Sequence, residues 1–256
     1  MSGLNLRHWP GQADRPALAL HCMMGNASYW GPIAAQVADL VRVSAPDLPG
    51  HGQSPDWPGE PPDYHTHVTR QVAPLITRPL DLIGHSLGAT VALRIAVAAP
   101  EAVRSLTLIE PVLFAAAPDP ANDARMAEIA ELAARDDKAE AARRFLAIWG
   151  GIDWDSQTPI GKARLMRQID LVIAGNAALL QDSAHILRDG GLEAIDAPVL
   201  MIMGGDSPGA IPAIADALAA RLPDVGRARV PGAGHMLPIT HPAQVAELLR
   251  LNLERA

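Results

Sequence analysis

Six short strand-type runs punctuate the chain, and each stops at glycine, proline or an ionisable residue. They are Ala17–Leu20, Leu40–Ala45, Leu80–Ile83, Leu106–Ile109, Pro198–Met203 and Arg227–Val230. Each is too short for a stable helix, and helical segments separate most of them. That alternation predicts an α/β fold, a mostly parallel central sheet with helices on both faces. In an open sheet of this kind ligands bind beyond the carboxyl ends of the strands. The stopping residues therefore gather polar chemistry at one edge. They include the segments His21-Cys22-Met23-Met24-Gly25-Asn26, Gly84-His85-Ser86-Leu87-Gly88, Glu110-Pro111, Gly204-Gly205-Asp206 and Gly232-Ala233-Gly234-His235.

Residues 112–195 break the alternation and read as helices only. Asp119-Pro120 can start one helix, through a side-chain cap and a proline in the first turn, running to about Arg135. Asp137 can cap a second, with Phe145, Ile148 and Trp149 at its apolar end. Thr158-Pro159 can start a third that carries Leu165, Ile169, Leu171 and Val172. Gly190-Gly191 ends a later turn. A parallel crossover needs only one helix, so this block is expected to be a helical cap inserted into a core of residues 1–111 and 196–256. The alternative is that its helices simply pack on the sheet. A last helix, from about Pro242 to Arg255, carries Val245, Leu248, Leu249 and Leu253 at helical spacing and is expected to dock on the core.

Composition narrows the function. Apolar residues make up 49% and charged residues 19%, which excludes intrinsic disorder. A formal charge of −7 argues against a nucleic-acid partner and against a polybasic membrane-binding surface. Charges interrupt every apolar stretch, so no membrane span is expected. Met1 to Pro10 has no basic segment followed by an apolar run, so no signal peptide is expected. The single cysteine, Cys22, excludes an intrachain disulfide and fits a cytoplasmic location. His65-Thr66-His67 has no supporting ligand at metal-binding spacing and reads as a solvated helix start. No phosphate-cradling glycine loop is present.

The chemistry centres on Gly84-His85-Ser86-Leu87-Gly88. An apolar strand leads in, and an apolar helix through Ala92, Leu93, Ile95 and Val97 leads out, the context of a nucleophile elbow. The flanking glycines leave room for a turn in which backbone and helix approach closely. Ser86 then projects from the turn near the positive end of the helix. The alternative is a glycine-rich turn with an ordinary capping serine. A serine hydroxyl needs a base, and His235 is the best candidate. A carboxylate must hold that imidazole in the right tautomer. Asp206 is the favoured acid, with Glu110, at the end of the strand after the nucleophile helix, as its rival. Both reach toward the histidine from the same sheet edge.

These residues resemble the serine-type α/β-hydrolases over nearly the whole chain. Asp47-Leu48-Pro49-Gly50-His51-Gly52-Gln53-Ser54 is similar to the family's loop after the fourth strand, and Gly84–Gly88 to its elbow. Asp206 is similar to its acid, and Gly234-His235 with His241-Pro242 to its C-terminal histidine segment. The resemblance implies an oxyanion hole built from the backbone N–H groups of Leu87 and Met23. It also exposes a departure, since the family usually has His-Gly where this chain has His21-Cys22. Cys22 then reads as a small buried apolar residue or a reactive thiol beside the nucleophile. Met23, Met24 and Trp30 read as pocket wall or core. His85 is expected to pack beside the elbow, and Trp149 and Trp154 to line a pocket or pack in the cap.

The resulting expectation is a serine hydrolase acting on a small carboxylic ester or related acyl compound. Ser86, Asp206 and His235 form its triad, and no cofactor or metal is implied. Carbon–carbon bond hydrolysis, lactone opening, acyl transfer and a non-catalytic ligand-binding homologue stay open as alternatives.

Overall fold

In a computed structural model, residues 3–12 and 14–256 are described. Seven strands run in the order β1-β3-β2-β4-β5-β6-β7. They are β1 (Leu6–His8), β2 (Pro16–Leu20), β3 (Arg42–Pro46), β4 (Leu80–His85), β5 (Val103–Ile109), β6 (Val199–Gly204) and β7 (Val225–Val230). All neighbours are parallel except β1, which runs antiparallel on the edge beside β3. β1 went unread in the sequence. It has only three residues, half-buried at best, and no apolar run marks it.

The period-2 alternation of each strand sends its side chains to two separate cores. Leu18, Leu20, Leu82, Leu106, Leu108 and Met201 face one side. There they meet α2 (Tyr64–Val72), α3 (Leu87–Ala98) and α7 (Ala210–Ala219). Ala17, Ala19, Ile83, Ile109, Leu200 and Ile202 face the other. They meet α1 (Gly31–Gln36) and α9 (Pro242–Leu253), which Val245, Leu249 and Leu253 anchor. α3 is apolar almost all round, and accordingly almost all of it is buried.

Between β5 and β6 lie only helices and turns: α4 (Pro120–Ala134), α5 (Lys138–Trp149) and α6 (Pro159–Gln181). Their starts follow from local chemistry. The Asp119 carboxylate accepts the Ala121 N–H, Asp137 accepts that of Glu140, and Thr158 Oγ1 accepts that of Gly161. These helices share an apolar cluster of their own, through Met126, Ile129, Leu146, Leu165, Ile169 and Val172. Met24 reaches into it from the sheet edge.

His65 departs from expectation. It sits in the first turn of α2, but its ring is fully buried between Thr90 Oγ1 and Arg94 and is not solvated. Burial pushes its pKa down to about 3, so it stays neutral.

Candidate active site

Strand register brings the polar residues together. Gly84 pairs with Leu108 and His85 with Ile109, so Ser86 and Glu110 continue side by side beyond the ends of β4 and β5. Ser86 N–H donates to Ile109 O at 2.9 Å, and Glu110 N–H to Ile202 O at 2.9 Å. Both residues have positive φ, 56° at Ser86 and 52° at Glu110. Such backbone is uncommon outside glycine and costs energy that the surrounding structure must hold. The elbow's glycines are required sterically. A Cβ on Gly84 would lie 2.3 Å from Gly88 O, and one on Gly88 2.3 Å from Leu20 O.

Ser86 occupies the N-cap position of α3, yet its hydroxyl makes no capping bond. Instead Ser86 Oγ lies 3.0 Å from His235 Nε2. His235 lies in the loop between β7 and the short helix α8 (Leu237–Thr240). Its Nδ1 lies 2.9 Å from Glu110 Oε2. The carboxylate's other oxygen, Oε1, accepts the Gly204 N–H at 2.7 Å and the Ser207 hydroxyl at 2.8 Å. All three residues are buried, and Glu110 is 0% exposed.

The acid at the imidazole is therefore Glu110, and the expectation for Asp206 is corrected. The Asp206 side chain is exposed and makes no hydrogen bond among the described residues. Its N–H bonds Ala233 O, tying the loop after β6 to the loop after β7. What the β6 loop supplies is donors, Gly204 N–H and Ser207 Oγ, which clamp a carboxylate held on the neighbouring strand.

The oxyanion-hole expectations fall at the same edge. Leu87 opens α3, so its N–H has no intrahelical partner. The Met23 N–H makes no hydrogen bond among the described residues. Its direction is set by its neighbours, because in a trans peptide the C=O and the following N–H point oppositely. The Cys22 carbonyl accepts from His21 Nδ1–H at 2.7 Å and from the Gly25 N–H at 3.1 Å. His21 Nε2 accepts the Leu48 N–H at 2.8 Å, which fixes its tautomer. Burial, then repulsion from His51, pushes the His21 pKa down to about 3. Met24 has φ 62°, and its N–H donates to His51 Nε2 at 3.0 Å. Burial pushes the His51 pKa down to about 4, so this ring also remains a neutral acceptor. The Asp-Leu-Pro-Gly-His-Gly segment thus braces the loop after β2, a role that its sequence alone did not reveal.

A cavity of about 210 Å³ opens over Ser86 and His235. Cys22, Met23, Met24, Leu87 and Trp149 line it. The Trp149 ring packs 4.7 Å from the His235 ring, centre to centre, and shields it. Four other residues singled out near the site, His21, His85, Glu110 and Trp154, do not line the cavity. His21, His85 and Glu110 are fully buried behind it, and Trp154 lies outside, with the Lys162 ammonium 5.4 Å from its ring centre. Trp30 packs in the core between the sheet, α1 and α9. Tyr29 and Arg164 are among the cavity residues that escaped the sequence reading. Neither belongs to a motif, and only the folded chain brings them to the site. Cys22 is buried, and burial pushes its thiol up to about 12, which leaves it an inert neutral group.

Among the described residues, no group of three or more His, Cys, Asp or Glu is arranged to hold a metal ion. No helix there is long and apolar enough to cross a membrane.

A hydroxyl, an imidazole and a carboxylate in line, beside two free amide donors, can perform acyl transfer to serine. A known protein of similar sequence agrees with that chemistry, and solved structures of similar shape share the fold. A pimeloyl-[acyl-carrier protein] methyl ester esterase from Methylococcus capsulatus is 30% identical over 239 residues, covering 88% of this chain and 89% of its own. A thermophilic esterase from Thermogutta terrifontis, solved with malate bound, superposes with a TM-score of 0.75 at 23% identity, covering 98% of this chain and 93% of its own. The enol-lactonase from Burkholderia xenovorans superposes with a TM-score of 0.74 at 21% identity, covering 98% and 96%. These two likenesses concern the fold. A sequence model of the Alpha/beta hydrolase family matches residues 17–248, so the chain belongs to the alpha/beta hydrolase family.

Proposed function

We propose that this chain hydrolyses carboxylic esters through an acyl-enzyme on Ser86, with His235 as base and Glu110 as the triad acid. The observation that carries this reading is the unbroken line from Ser86 Oγ to His235 Nε2 at 3.0 Å and from His235 Nδ1 to Glu110 Oε2 at 2.9 Å. Ser86 Oγ attacks the ester carbonyl carbon while His235 Nε2 takes its proton. The N–H groups of Met23 and Leu87 receive the oxyanion, a contribution of a few kcal/mol. Glu110 stabilises the imidazolium and fixes its orientation. His235 then protonates the departing alkoxide. Water, deprotonated by the same nitrogen, attacks the acyl-enzyme and releases the acid and free Ser86. No step calls on a cofactor.

The substrate reading rests on the cavity walls. Phe114, Phe145, Trp149, Val172 and Leu179 make them apolar and fit an acyl chain of modest length. Helices α4–α6 act as a cap over that chain. Arg164 is the one cation lining the cavity, and it has no acidic partner among the described residues. An anionic group at the far end of the substrate is therefore favoured. The relative's printed substrate, a pimeloyl-[acyl-carrier protein] methyl ester, likewise joins a methyl ester to an acyl chain of modest length. The single buried thiol fits a cytoplasmic setting.

The test is labelling with a fluorophosphonate probe alongside turnover of p-nitrophenyl butyrate, for wild type and Ser86→Ala. Labelling and turnover by wild type alone is the expected result. A folded wild type that neither labels nor turns over would overturn the reading and favour the non-catalytic ligand-binding alternative. Monomethyl esters of dicarboxylic acids, tested against neutral methyl esters of equal length, address Arg164. Loss of any anion preference in Arg164→Gln is expected, with neutral esters unaffected. Diketone and lactone substrates, and an added alcohol acceptor, test the remaining alternatives in the same assay.

A further inference from the structure

Tyr29 and His85 stand behind the site and take no part in the chemistry just described. Tyr29 lines the cavity with its ring, while its hydroxyl serves the protein interior. The Cys22 N–H donates to Tyr29 Oη at 3.0 Å. Tyr29 Oη lies 3.0 Å from His85 Nδ1, and His85 Nε2 lies 2.9 Å from the His235 carbonyl oxygen. A carbonyl only accepts, so Nε2 carries the His85 proton and Nδ1 accepts from the Tyr29 hydroxyl. Every donor in the series then has one acceptor, and the series runs in one direction. It starts at the loop that presents the Met23 N–H and ends at the backbone of the base. Its middle ring belongs to the residue preceding the nucleophile.

We infer that the Tyr29–His85 bridge is a positioning device that locks the oxyanion loop and the His235 loop into one register around Ser86. The inference rests on the reading of Ser86, His235 and the Met23 amide as reacting parts. Both polar groups of Cys22 are pinned, the N–H by Tyr29 and the C=O by His21 and Gly25, so the Met23 amide has one orientation. Gly25 leaves the space this requires, since a Cβ there would lie 3.0 Å from both Cys22 Sγ and Tyr29 Cε1. His85 is 0% exposed, and burial followed by repulsion from His235 holds its pKa well below the usual histidine range. It therefore keeps its single proton on Nε2 while His235 cycles. Catalytic groups need placement to about 0.5 Å, so loosening either loop lowers kcat without altering substrate affinity.

Tyr29→Phe keeps the ring that lines the cavity and removes only the bridging hydroxyl. The expected result is a kcat lower by about 10- to 100-fold with KM held within about twofold. The factor should be the same for p-nitrophenyl esters from acetate to octanoate. His85→Leu should lose as much or more, and His85→Gln, which can still donate to the His235 carbonyl, should recover part of it. Because the two residues act as one unit, the double variant Tyr29→Phe/His85→Leu should be no slower than His85→Leu alone. Unchanged kcat in Tyr29→Phe, a loss that varies with acyl length, or multiplying losses in the double variant would each overturn the inference. Acyl-length dependence would make Tyr29 a pocket wall only. If wild type itself fails to label at Ser86, the site reading and this inference fall together. If wild type labels and Tyr29→Phe matches it in kcat, only the inference falls.

Discussion

Glu110→Gln is the sharpest perturbation of the site, because the surroundings dictate how the new amide must sit. Oε1 of Glu110 accepts the Gly204 N–H at 2.7 Å, and a backbone N–H can only donate. The glutamine must therefore place its carbonyl oxygen there and turn its NH2 toward His235 Nδ1, now 2.9 Å from the acid. An NH2 facing Nδ1 demands that Nδ1 accept, so the imidazole proton moves to Nε2. That nitrogen then cannot take the Ser86 proton. Geometry is preserved while the tautomer is wrong, and the analogous change in other serine triads costs about 10⁴ in kcat, or about 5.4 kcal/mol. Asp206→Asn changes an exposed side chain without a partner and should stay within about twofold of wild type. Initial rates on p-nitrophenyl butyrate at neutral pH, with circular dichroism to confirm folding, decide the matter. Glu110→Gln within about tenfold of wild type, or a large loss in Asp206→Asn, would refute the assignment.

Three further outcomes follow from buried groups. The Cys22 thiol, buried and pushed up to about 12, should resist dithiobis-nitrobenzoate in the native protein and react fully in denaturant. Rapid native reaction would revive the reactive-thiol reading. Burial holds His21 and His65 down to about 3 and His51 down to about 4, whereas unfolded histidines protonate near 6.5. The unfolded chain therefore binds more protons between those values. Stability is full above about pH 6.5 and falls as pH drops toward 4, by up to about 1.4 kcal/mol per pH unit for each histidine. Urea titrations at several pH values should show this slope, shallower by about one proton in His65→Gln, and a flat profile would contradict it. Gly88→Ala places a Cβ 2.3 Å from Leu20 O and should destabilise the fold by about 3 kcal/mol while abolishing turnover. A thermal midpoint equal to wild type would show that the elbow tolerates side chains.

Most of the sheet was legible because six of its seven strands are short runs bounded by breakers, most of them apolar as parallel strands buried on both faces are. Helices α4–α6 were legible from Asp119, Asp137 and Thr158, whose side chains bond the first free amides. β1 left no trace, being a three-residue edge strand specified by pairing with Arg42–Pro46 and not by its own residues. Ser86 and His235 were legible because sharp turns at strand ends need glycine neighbours. Tyr29 and the bracing roles of His85 and His51 were not, since hydrogen bonds spanning 27 to 150 positions of chain leave no periodicity.

The acid shows why spacing and loop chemistry could not decide between two candidates. β5 lies between β4, which Ser86 follows, and β6, which ends at Gly204 and is followed by Gly205-Asp206. A carboxylate at the end of either β5 or β6 starts close to the imidazole. What separates them is the fate of the second oxygen. A buried carboxylate with one lone oxygen is expensive, and Glu110 avoids that cost because Gly204 N–H and Ser207 Oγ both point at Oε1. Asp206 sits between those donors in the chain, but its side chain is exposed and its own N–H is spent on Ala233 O. The contribution of the Gly-Gly-Asp-Ser segment is thus the pair of donors around the aspartate and not the aspartate itself, which sequence reasoning favours as the acid. Ser207→Ala should then weaken the clamp on Glu110 and lower kcat by about 10- to 100-fold, roughly the worth of one hydrogen bond to a charged group. A kcat equal to wild type in that variant would mean the Gly204 amide alone suffices to hold the acid.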